Sequence, residues 1–535
     1  SAATLLQSRG LAPPTSHTRD ALARKLVGGP GDLLPPRVRP AAGSGVSRSA
    51  LYRALSSAPS TSAPGPSGMR FSHLQAFREH PRALAWLGGL CDRIADGNIP
   101  EAAVDLLALT KLTPLLKDGG GIRPVAGGEC LRKLAARGLV REHRSTLLEA
   151  VGSSQYGAGR PGGAETLIHA VQVVSEARPH GAWVQLDVAN AFPSVRRRAV
   201  LEAVAEHAPV LLPLAETFLR RASSFVYQGA AGEGELLRAT LGVEQGDVLG
   251  PLLFAMAFRR PVERLRELLV DVLVEEHGYS KDEAEAAVVL GAYLDDVLVG
   301  LPAEAAARVP ALAAQAFAPA GCLVEQQKTK VWVPAGLCPT DCEEWWSPRG
   351  LRILGAPAEG ETPLAALGEL GAVVGDAGLV AGFLNQALEG YRGFVGKVVA
   401  ATVEADASWS RVQTGAGLLR LCALPRLLHL FRALPPAATR EFAESADSAT
   451  LASYEKLLIA KLTTPAQQTQ TALPTRLGGN GLLRFKELAA QAWLGSWLGT
   501  LPEVRTLAGP QLASSEEVSQ GSAGWAGALR ESVAE

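Results

Sequence analysis

Two adjacent carboxylates, Asp295 and Asp296, lie at the centre of GAYLDDVLVG (291–300), between two apolar runs that favour β-strands. One interpretation is a β-hairpin whose tip uses Asp as an ordinary turn residue. The other is a metal site, because neighbouring carboxylates raise each other's pKa unless a cation lies between them. Hard divalent cations such as Mg²⁺ prefer carboxylate oxygen. This stretch alone leaves both interpretations open.

A third carboxylate, Asp187, ends the apolar stretch WVQLDV (183–188), which predicts a short buried strand. Polar residues where a rigid element meets a loop are candidate ligands, although an ordinary turn or helix cap is the alternative. An aromatic residue, Phe192, stands at the fifth place after Asp187, and the residues just before it are small. This neighbourhood favours a site over a simple cap.

Two further motifs carry polar groups at predicted turns. In LTPLLKDGGGIRPV, Lys117 and Arg123 flank a Gly-rich turn. A hairpin of this kind can fold over a triphosphate or can simply be a solvated surface hairpin. In GVEQGDVLGPLLFA, the turn Gln245–Gly246–Asp247 opens a predicted helix, and Gly246 permits close approach of another backbone. Its alternative is an ordinary helix N-terminus capped by Asp247.

Composition sets wide limits on the kind of protein. The 535 residues exceed one ordinary domain, and 47% hydrophobic with 20% charged residues is typical of a globular protein. A net charge of −1 argues weakly against a basic nucleic-acid binder, but residues 111–144 are strongly basic and could line a local groove. Six cysteines indicate free thiols in a reducing compartment. No window predicts a transmembrane helix or a secretory signal.

The elements that must position these motifs can be read from periodicity and turn residues. Residues 1–65 predict an extended, Pro/Gly/Ser-rich lead-in with one short helix, SRSALYRALSSA. Residues 249–269 predict a long amphipathic helix with a proline kink, and an acidic helix, SKDEAEAA, precedes the 291–300 hairpin. KVWVP and LRILGAP predict two short strands, and residues from about 360 to 500 predict helices.

The order of these motifs resembles the reverse transcriptases. It is most similar to those of eukaryotic non-LTR (LINE-type) retrotransposons. The ordered set is the basic hairpin, the strand-end Asp with its aromatic, QGD before an apolar helix, the YLDD hairpin, GCLVEQQKTKVW and RILG. Further similar blocks are SAPGPSGMRFSHL, RPVAGGECLRKLAAR, SSQYGAGRPGGAETLIHAV, RLCALPRLLHLFRALPP and TRLGGNGLLRFKELA. The resemblance extends from about residue 60 to about residue 500.

This resemblance implies an α+β fold, the polymerase right hand, with fingers, a ferredoxin-like antiparallel palm, a helical thumb and a helical C-terminal region. The expected segments are the lead-in 1–65, fingers 66–180, palm 181–358 with a fingers helix after the QGD motif, thumb and C-terminal region 359–507, and a frayed tail 508–535. The implied activity is RNA-directed DNA polymerisation, a nucleotidyl transfer from dNTP to a primer 3′-hydroxyl.

The resemblance also assigns roles. Metal ligands are expected at Asp187, the Val188 carbonyl, Asp295 and, in a supporting role, Asp296. They would hold two Mg²⁺ ions, for which Mn²⁺ is a substitute. Lys328 is expected to protonate the leaving pyrophosphate, with a plain surface lysine as the alternative.

The remaining roles concern residues that contact the nucleotide or the template and primer strands. Lys117 and Arg123 are expected on the triphosphate, and Phe192 is expected under the sugar as a steric gate against a 2′-hydroxyl. Gln245 and Gly246 are expected at the nascent base pair. Template and primer contacts are expected at Gln155, Arg160, Leu354 and Gly355.

The expected partners are an RNA template, a DNA primer and dNTPs, in an intracellular, nuclear setting without a membrane. No stretch resembles an endonuclease or RNase H domain. We therefore expect either a fragment of a larger polyprotein or an endonuclease supplied by another protein. Two alternatives stay open: a domesticated or telomerase-like RNA-templated polymerase, and an inactive reverse-transcriptase-like scaffold that binds nucleic acid. The presence of all three carboxylates argues against the scaffold.

Overall fold

The computed structural model describes residues 10–26, 28, 29, 32, 34, 45–117, 121–229, 232, 234–334, 352–354, 371–375, 377–403 and 409–509. The predicted primer residue Gly355 lies outside these residues, as does the predicted tail from residue 510 onward. No helix in the described part of the chain has the length and apolar character needed to cross a lipid bilayer.

Helices dominate the described residues. Those of the N-terminal half are α1 (Ser16–Lys25), α2 (Arg48–Ser56), α3 (Phe71–Gln75), α4 (Pro81–Ala95), α5 (Glu101–Ala108), α6 (Cys130–Glu142), α7 (Arg144–Ala150), α8 (Gly163–Ala177), α9 (Ala191–Ser194), α10 (Arg197–His207), α11 (Leu212–Leu219) and α12 (Gly250–His277). Those that follow are α13 (Lys281–Ala287), α14 (Val309–Phe317), α15 (Ala377–Val403), α16 (Trp409–Leu418), α17 (Leu428–Ala433), α18 (Pro436–Leu458), α19 (Pro465–Ala472) and α20 (Phe485–Ala508).

The strands form three sheets. They are β1 (Leu109–Leu116), β2 (Ile122–Gly127), β3 (Gly181–Leu186), β4 (Val188–Ala189), β5 (Ser223–Gln228), β6 (Gly234–Ala239), β7 (Val289–Tyr293), β8 (Asp296–Pro302), β9 (Leu323–Val324), β10 (Lys330–Trp332) and β11 (Arg352–Leu354). We call the sheet with strand order β11-β10-β3-β8-β7 the palm sheet and the sheet β2-β1-β5-β6 the fingers sheet. The third sheet is the pair β4-β9.

The palm sheet carries the predicted strand-end carboxylates. Its strands β7, β8, β3 and β10 pair in antiparallel fashion, as predicted, but the edge pair β10–β11 is parallel. The antiparallel palm is therefore present, with one parallel pair added at this edge. Helix α12 extends eight residues beyond the predicted end at 269 and buries Phe254 and Phe258 completely. It contains Pro261, where the sequence predicts a kink, and ends at Gly278 in a left-handed conformation.

The segments interleave in space more than the predicted boundaries imply. Strands β5 and β6 fall within the range predicted for the palm, yet β5 pairs with β1 in the fingers sheet. Helix α8 falls within the range predicted for the fingers, yet its Leu167 and Val174 share an apolar cluster with Trp183 of the palm sheet and Trp493 of α20. The expected boundary near residue 180 therefore divides the sequence but does not separate two bodies.

The N-terminal segment differs from its prediction as well. Besides the predicted helix α2, the range 1–65 contains α1, which the sequence analysis did not identify. Residues 10–26 lie against the fingers sheet, where Leu22 of α1 is fully buried with Leu112 and Phe225. The helical prediction for the C-terminal region agrees with α15–α20 over the described residues.

Candidate active site

The tip of the β7–β8 hairpin holds the two adjacent carboxylates. Tyr293 pairs with Asp296, so that Leu294 and Asp295 form a two-residue turn. Leu294 has φ of +57°, in the left-handed region that residues with a Cβ rarely occupy. The amide of Gln155 braces this turn: Leu294 N–H donates to Gln155 Oε1 at 2.7 Å, and Gln155 Nε2 donates to the Leu294 carbonyl at 3.3 Å. The hairpin tip is thus fixed from outside its own strands.

The register of the palm sheet brings Asp187 to the same place. Strand β3 ends with Leu186 opposite Val297, the residue that follows Asp296. Continuing this antiparallel register by one residue sets Asp187 opposite Asp296. The Asp187 carbonyl is held by the N–H of Glu325 at 2.8 Å, next to the β4–β9 pair. Residues 108 positions apart in the sequence therefore share one edge of the sheet.

Electrostatics at this edge disfavours a second negative charge. The pKa of Asp295 is raised, first by burial and then by the negative charge of Asp187, and Lys117 and Arg123 only partly oppose this. Asp187 lies beside a cation of the chain: Lys328 Nζ is 2.5 Å from Asp187 Oδ2. The Lys328 side chain is 59% exposed, whereas that of Asp187 is 18% exposed.

Cations surround the two carboxylates. The predicted pair Lys117 and Arg123 lies on the β1–β2 hairpin, which is closed by the Lys117 N–H donating to the Gly121 carbonyl at 2.7 Å. Burial lowers the pKa of Lys117, and the positive charges of Arg123 and Lys328 lower it further. Lys25, at the end of α1, belongs to the same set, since Lys117, Lys328 and Arg123 all lower its pKa after the effect of burial.

Phe192 lies close to Asp187 in a constrained turn. Asn190 just before it has φ of +50°, a conformation that Asn tolerates better than most residues. The Phe192 ring is 7% exposed and stacks on Phe254 of α12, with ring centroids 4.8 Å apart. Its carbonyl accepts from Val243 N–H at 2.8 Å, which ties the turn to the segment leading into the QGD motif. Val188, between Asp187 and this turn, is buried at 2% exposure.

The QGD motif touches the fingers hairpin through its backbone. The Gln245 carbonyl accepts from Ala126 N–H of β2 at 2.7 Å. Gly246 has φ of +115°, and a Cβ atom there would stand 2.5 Å from the Ala126 carbonyl oxygen. Glycine is required for both reasons, and the close backbone approach expected from the sequence is present. The contact connects the cationic hairpin to the start of α12.

A buried ion-pair network supports this junction, and the sequence analysis missed it. Arg132 of α6 contacts Asp247 at 2.6 Å and Glu244 at 3.3 Å, and its guanidinium lies 4.4 Å from the centre of the Phe218 ring. Asp247 also accepts from Leu249 N–H at 2.8 Å, but Leu249 is the N-cap of α12 and no side chain caps the helix, so the alternative of Asp247 as an ordinary cap is wrong. The basic run at 111–144 contained the signal, but not which of its members would be buried.

Arg197 is a second buried cation that the sequence did not reveal. Its side chain is 3% exposed and donates to the Gly242 carbonyl at 3.0 Å and to Ser223 Oγ at 2.8 Å. Burial lowers its pKa to about 10. It fastens the turn before the QGD motif to strand β5, so its role is to hold backbone in place rather than to bind substrate.

The predicted template and primer residues lie in different surroundings. Gln155 is 4% exposed and its amide braces the hairpin tip through Leu294 and Gly157, while its role as a template contact stays a prediction. Arg160 is partly exposed and lies over the Tyr156 ring at 5.3 Å, where its role stays a prediction. The backbone of Leu354 lies in β11, paired with Trp332.

The donor set fits a divalent cation, although it is not a preformed cluster. Among the residues that the structure describes, no three His, Cys, Asp or Glu side chains are grouped closely enough to hold a metal ion. Asp187 and Asp295 nevertheless offer hard oxygen donors whose like charges repel, and a cationic group, Lys328, lies at Asp187. A divalent ion between these carboxylates would remove the repulsion that raises the pKa of Asp295.

Comparison with known proteins agrees with this geometry. Residues 115–358 match the family described as "Reverse transcriptase (RNA-dependent DNA polymerase)". The chain contains a reverse transcriptase domain. It is also 28% identical over 272 residues to the "Retrotransposable element SLACS 132 kDa protein" of Trypanosoma brucei gambiense. That alignment covers 50% of this chain and 21% of the relative, so the match spans about a fifth of the relative's length.

Solved structures give weaker likenesses. Apo telomerase from Candida tropicalis aligns over 77% of this chain and 69% of that chain, with 10% identity and a TM-score of 0.38. Telomerase from Candida albicans with a TWJ fragment of telomeric RNA aligns over 78% and 68%, with 10% identity and a TM-score of 0.32. Scores this low carry no argument about the chain.

The family match confirms the predicted reverse transcriptase domain over residues 115–358, and the palm and fingers sheets together with the helices confirm the α+β fold class. Reverse transcriptases use divalent metal ions, which agrees with the donor set of this reverse transcriptase domain. The match covers the β1–β2 hairpin from Leu115 onward, the QGD motif and the YLDD hairpin. It begins well after α1, so the segment that carries Lys25 lies outside it.

Proposed function

We propose that this chain is an RNA-directed DNA polymerase of a non-LTR retroelement, which extends a DNA primer on an RNA template with dNTPs. One observation carries the proposal: the palm register sets Asp187 opposite the Asp295–Asp296 hairpin, and the cations Lys117 and Arg123 face that edge. Carboxylates that bind divalent ions and cations that bind a triphosphate are the two halves of a phosphoryl-transfer site.

The carboxylate half would hold the metal. Asp187 and Asp295, helped by Asp296 and the Val188 carbonyl, would bind Mg²⁺, for which Mn²⁺ can substitute. When bound, such ions supply Lewis acidity to the primer 3′-hydroxyl and to the leaving pyrophosphate. The chain's contribution is to hold both carboxylates at one sheet edge, where burial raises the pKa of Asp295.

The cationic half would bind and orient the nucleotide. Lys117 and Arg123 would neutralise the triphosphate, and the rigid β1–β2 hairpin would fix their position. Lys328, which lies against Asp187, would donate a proton to the departing pyrophosphate. Both functions depend on cations whose charges act on Asp187 or Asp295.

Selection of the sugar and the base would fall to the turn beside the carboxylates. The Phe192 ring, held by Phe254, would leave no room for a 2′-hydroxyl. Gln245 and Gly246 would lie against the nascent base pair, since their backbone joins the fingers hairpin. Arg160 would contact the template, and Leu354 with Gly355 would contact the primer strand.

The wider setting is part of the proposal. Insertion of a DNA copy requires a nicked target, so an endonuclease from the remainder of a longer polyprotein or from another protein would act with this chain. Access to chromosomal DNA places the work in the nucleus. The RNA template, DNA primer and dNTPs are the partners that the site itself requires.

Primer extension tests the proposal directly. The chain is assayed on an RNA template with a DNA primer, dNTPs and Mg²⁺ or Mn²⁺, alongside Asp295→Asn and a control, Asp271→Asn, which alters an exposed carboxylate on α12. We expect extension by the wild type and the control and none by Asp295→Asn. Extension that survives Asp295→Asn would refute the site. A wild type that binds the hybrid without extending it would favour the inactive scaffold.

A further inference from the structure

The N-terminal segment, described at residues 10–26, 28 and 29, packs on the fingers sheet. It begins as an added strand, with Leu11 bridged to Leu115 of β1 in antiparallel fashion. Ala12 N–H donates to the Pro114 carbonyl, and Leu116 N–H donates to the Gly10 carbonyl, both at 3.0 Å. Backbone hydrogen bonds in both directions fix the register of the segment against the hairpin that carries Lys117.

Helix α1 is then held on the same sheet by side chains. Thr15 caps its start by accepting from Thr18 N–H at 3.2 Å. Leu22 is fully buried against the sheet, and Arg19 pairs with Glu235 of β6 at 2.6 Å. An isolated helix of this length is marginal in water, so its packing on the sheet determines where it ends.

The end of α1 lies at the carboxylate edge. The Lys25 carbonyl accepts from Asn190 Nδ2 at 3.0 Å, and Asn190 is three residues from Asp187. Beyond it, the Gly29 carbonyl accepts from Thr240 Oγ1 at 2.9 Å, just before the QGD motif. The helix end is thus tied on one side to the Asp187–Phe192 turn and on the other to the segment that leads into Gln245.

This position adds a positive charge to an already positive pocket. The electrostatic neighbours of half-buried Lys25 are Lys117, Lys328 and Arg123. Lys117 also interacts electrostatically with Asp187 and Asp295, so these cations cluster at the carboxylate edge. With Asp296, which the sheet register sets opposite Asp187, four cations gather beside three carboxylates. Like charges brought together at partial burial are unfavourable unless a polyanion binds among them.

We propose that Lys25 is a nucleotide-binding residue, which contacts the triphosphate of the incoming dNTP together with Lys117 and Arg123. The inference rests on the proposed polymerase function and extends it to a segment outside the matched domain. An ammonium on a flexible stem suits a triphosphate whose position shifts during the reaction. Cations clustered at partial burial favour the binding of a polyanion, and a triphosphate is one.

Three variants separate this role from general effects of charge. Lys25→Ala removes the cation and keeps a good helix former, Lys25→Arg retains the charge, and Arg24→Ala removes an exposed neighbouring cation in the same last turn of α1. Each is assayed by primer extension over a range of dNTP concentrations at saturating hybrid, and its Kd for the RNA–DNA hybrid is measured separately. Calorimetry with inorganic tripolyphosphate gives a binding readout that does not depend on turnover.

We expect Lys25→Ala to raise the KM for dNTP about tenfold, as for one charge-assisted contact, with the hybrid Kd unchanged. Tripolyphosphate affinity should fall by a similar factor. Lys25→Arg should recover most of both, and Arg24→Ala should match the wild type. A Lys25→Ala variant that loses hybrid affinity while its dNTP KM stays constant would overturn the inference in favour of a template contact. Unchanged values in every assay would overturn it in favour of a surface lysine.

Failure of the polymerase proposal would look different. If the wild type does not extend primers, tripolyphosphate binding still compares Lys25→Ala with the wild type and Arg24→Ala. A selective loss in Lys25→Ala would support a phosphate-binding pocket in an inactive protein. Equal binding by all three proteins would refute the role of Lys25 itself.

Discussion

Replacing Gln155 by alanine should lower the turnover number without weakening template binding. The side chain makes three hydrogen bonds, two with Leu294 and one with the N–H of Gly157, at 2.7 to 3.3 Å. All are largely shielded, since Gln155 is 4% exposed. They fix a turn in which Leu294 has φ of +57° and which carries Asp295 at its second position. Alanine would leave this strained turn without its external brace.

The size of the effect follows from these bonds. Each contributes about 1 kcal/mol net, so the correctly placed tip would lose about 2 to 3 kcal/mol of its preference over other conformations. If the reaction proceeds only from the correct position of Asp295, kcat should fall by about 30- to 160-fold, at 1.36 kcal/mol for each factor of ten. The Kd for the RNA–DNA hybrid should stay within about twofold, because the amide faces the hairpin and not the strands.

The assay is single-nucleotide extension at saturating hybrid and dNTP, with hybrid affinity measured by fluorescence anisotropy. Ser153→Ala is the matched control, because Ser153 is exposed in the same loop. A Gln155→Ala variant with normal kcat and weakened hybrid binding would refute the reasoning and restore Gln155 as a template contact. A loss of both in the Ser153→Ala control would mean that the loop as a whole tolerates no change.

Three further changes test other parts of the site. Arg132→Met leaves Glu244 and Asp247 buried without their cation, so the free energy of unfolding in urea should fall by about 3 to 5 kcal/mol. Arg144→Met, at an exposed position, should leave it unchanged. Equal free energies of unfolding for the two variants would contradict the network. Phe192→Val should lower the preference for dNTP over NTP by about tenfold or more in competing single-nucleotide extensions. An unaltered ratio of dNTP to NTP incorporation would exclude the ring as the steric gate against a 2′-hydroxyl. Burial lowers the pKa of His169 to about 4, so the unfolded chain takes up the proton first and stability is lost as pH falls from about 6.5 towards 4. Urea unfolding followed by tryptophan fluorescence should show a free energy of unfolding about 2 kcal/mol lower at pH 5 than at pH 7. His169→Gln should abolish that share of the change.

The sequence predicted the carboxylates well because their evidence is local. Asp187 follows an apolar strand, and Asp295 and Asp296 interrupt a run of β-favouring residues, so each is conspicuous within about ten residues. The order of the motifs then indicated that they share one sheet. Their juxtaposition in the structure follows from the β3–β8 register, which that order implies.

Contacts between segments that are distant in the sequence could not be predicted from local sequence patterns. Arg132 is one of many cations in a basic run, and only the tertiary fold shows that it lies beside Glu244 and Asp247. Gln155 resembles a loop residue that could face any partner. The helix α1 lies between Pro- and Gly-rich stretches, and what stabilises it is the burial of Leu22 on a sheet whose strands come later in the chain. Lys25 was missed for that reason.

The two adjacent carboxylates are therefore tolerated because the surrounding fold holds them, not because the hairpin favours them. Burial and Asp187 oppose ionisation of Asp295, and the turn that carries it contains a left-handed leucine. Gln155 holds the turn, Arg132 and Arg197 hold the backbone around the QGD motif, and Lys328 lies against Asp187. None of these contacts would be needed if the hairpin were an ordinary turn. Charges held in unfavourable positions are typical of a site that its ligands complete. In this pocket the carboxylates would be neutralised by divalent cations, and the clustered cations would be neutralised by a triphosphate.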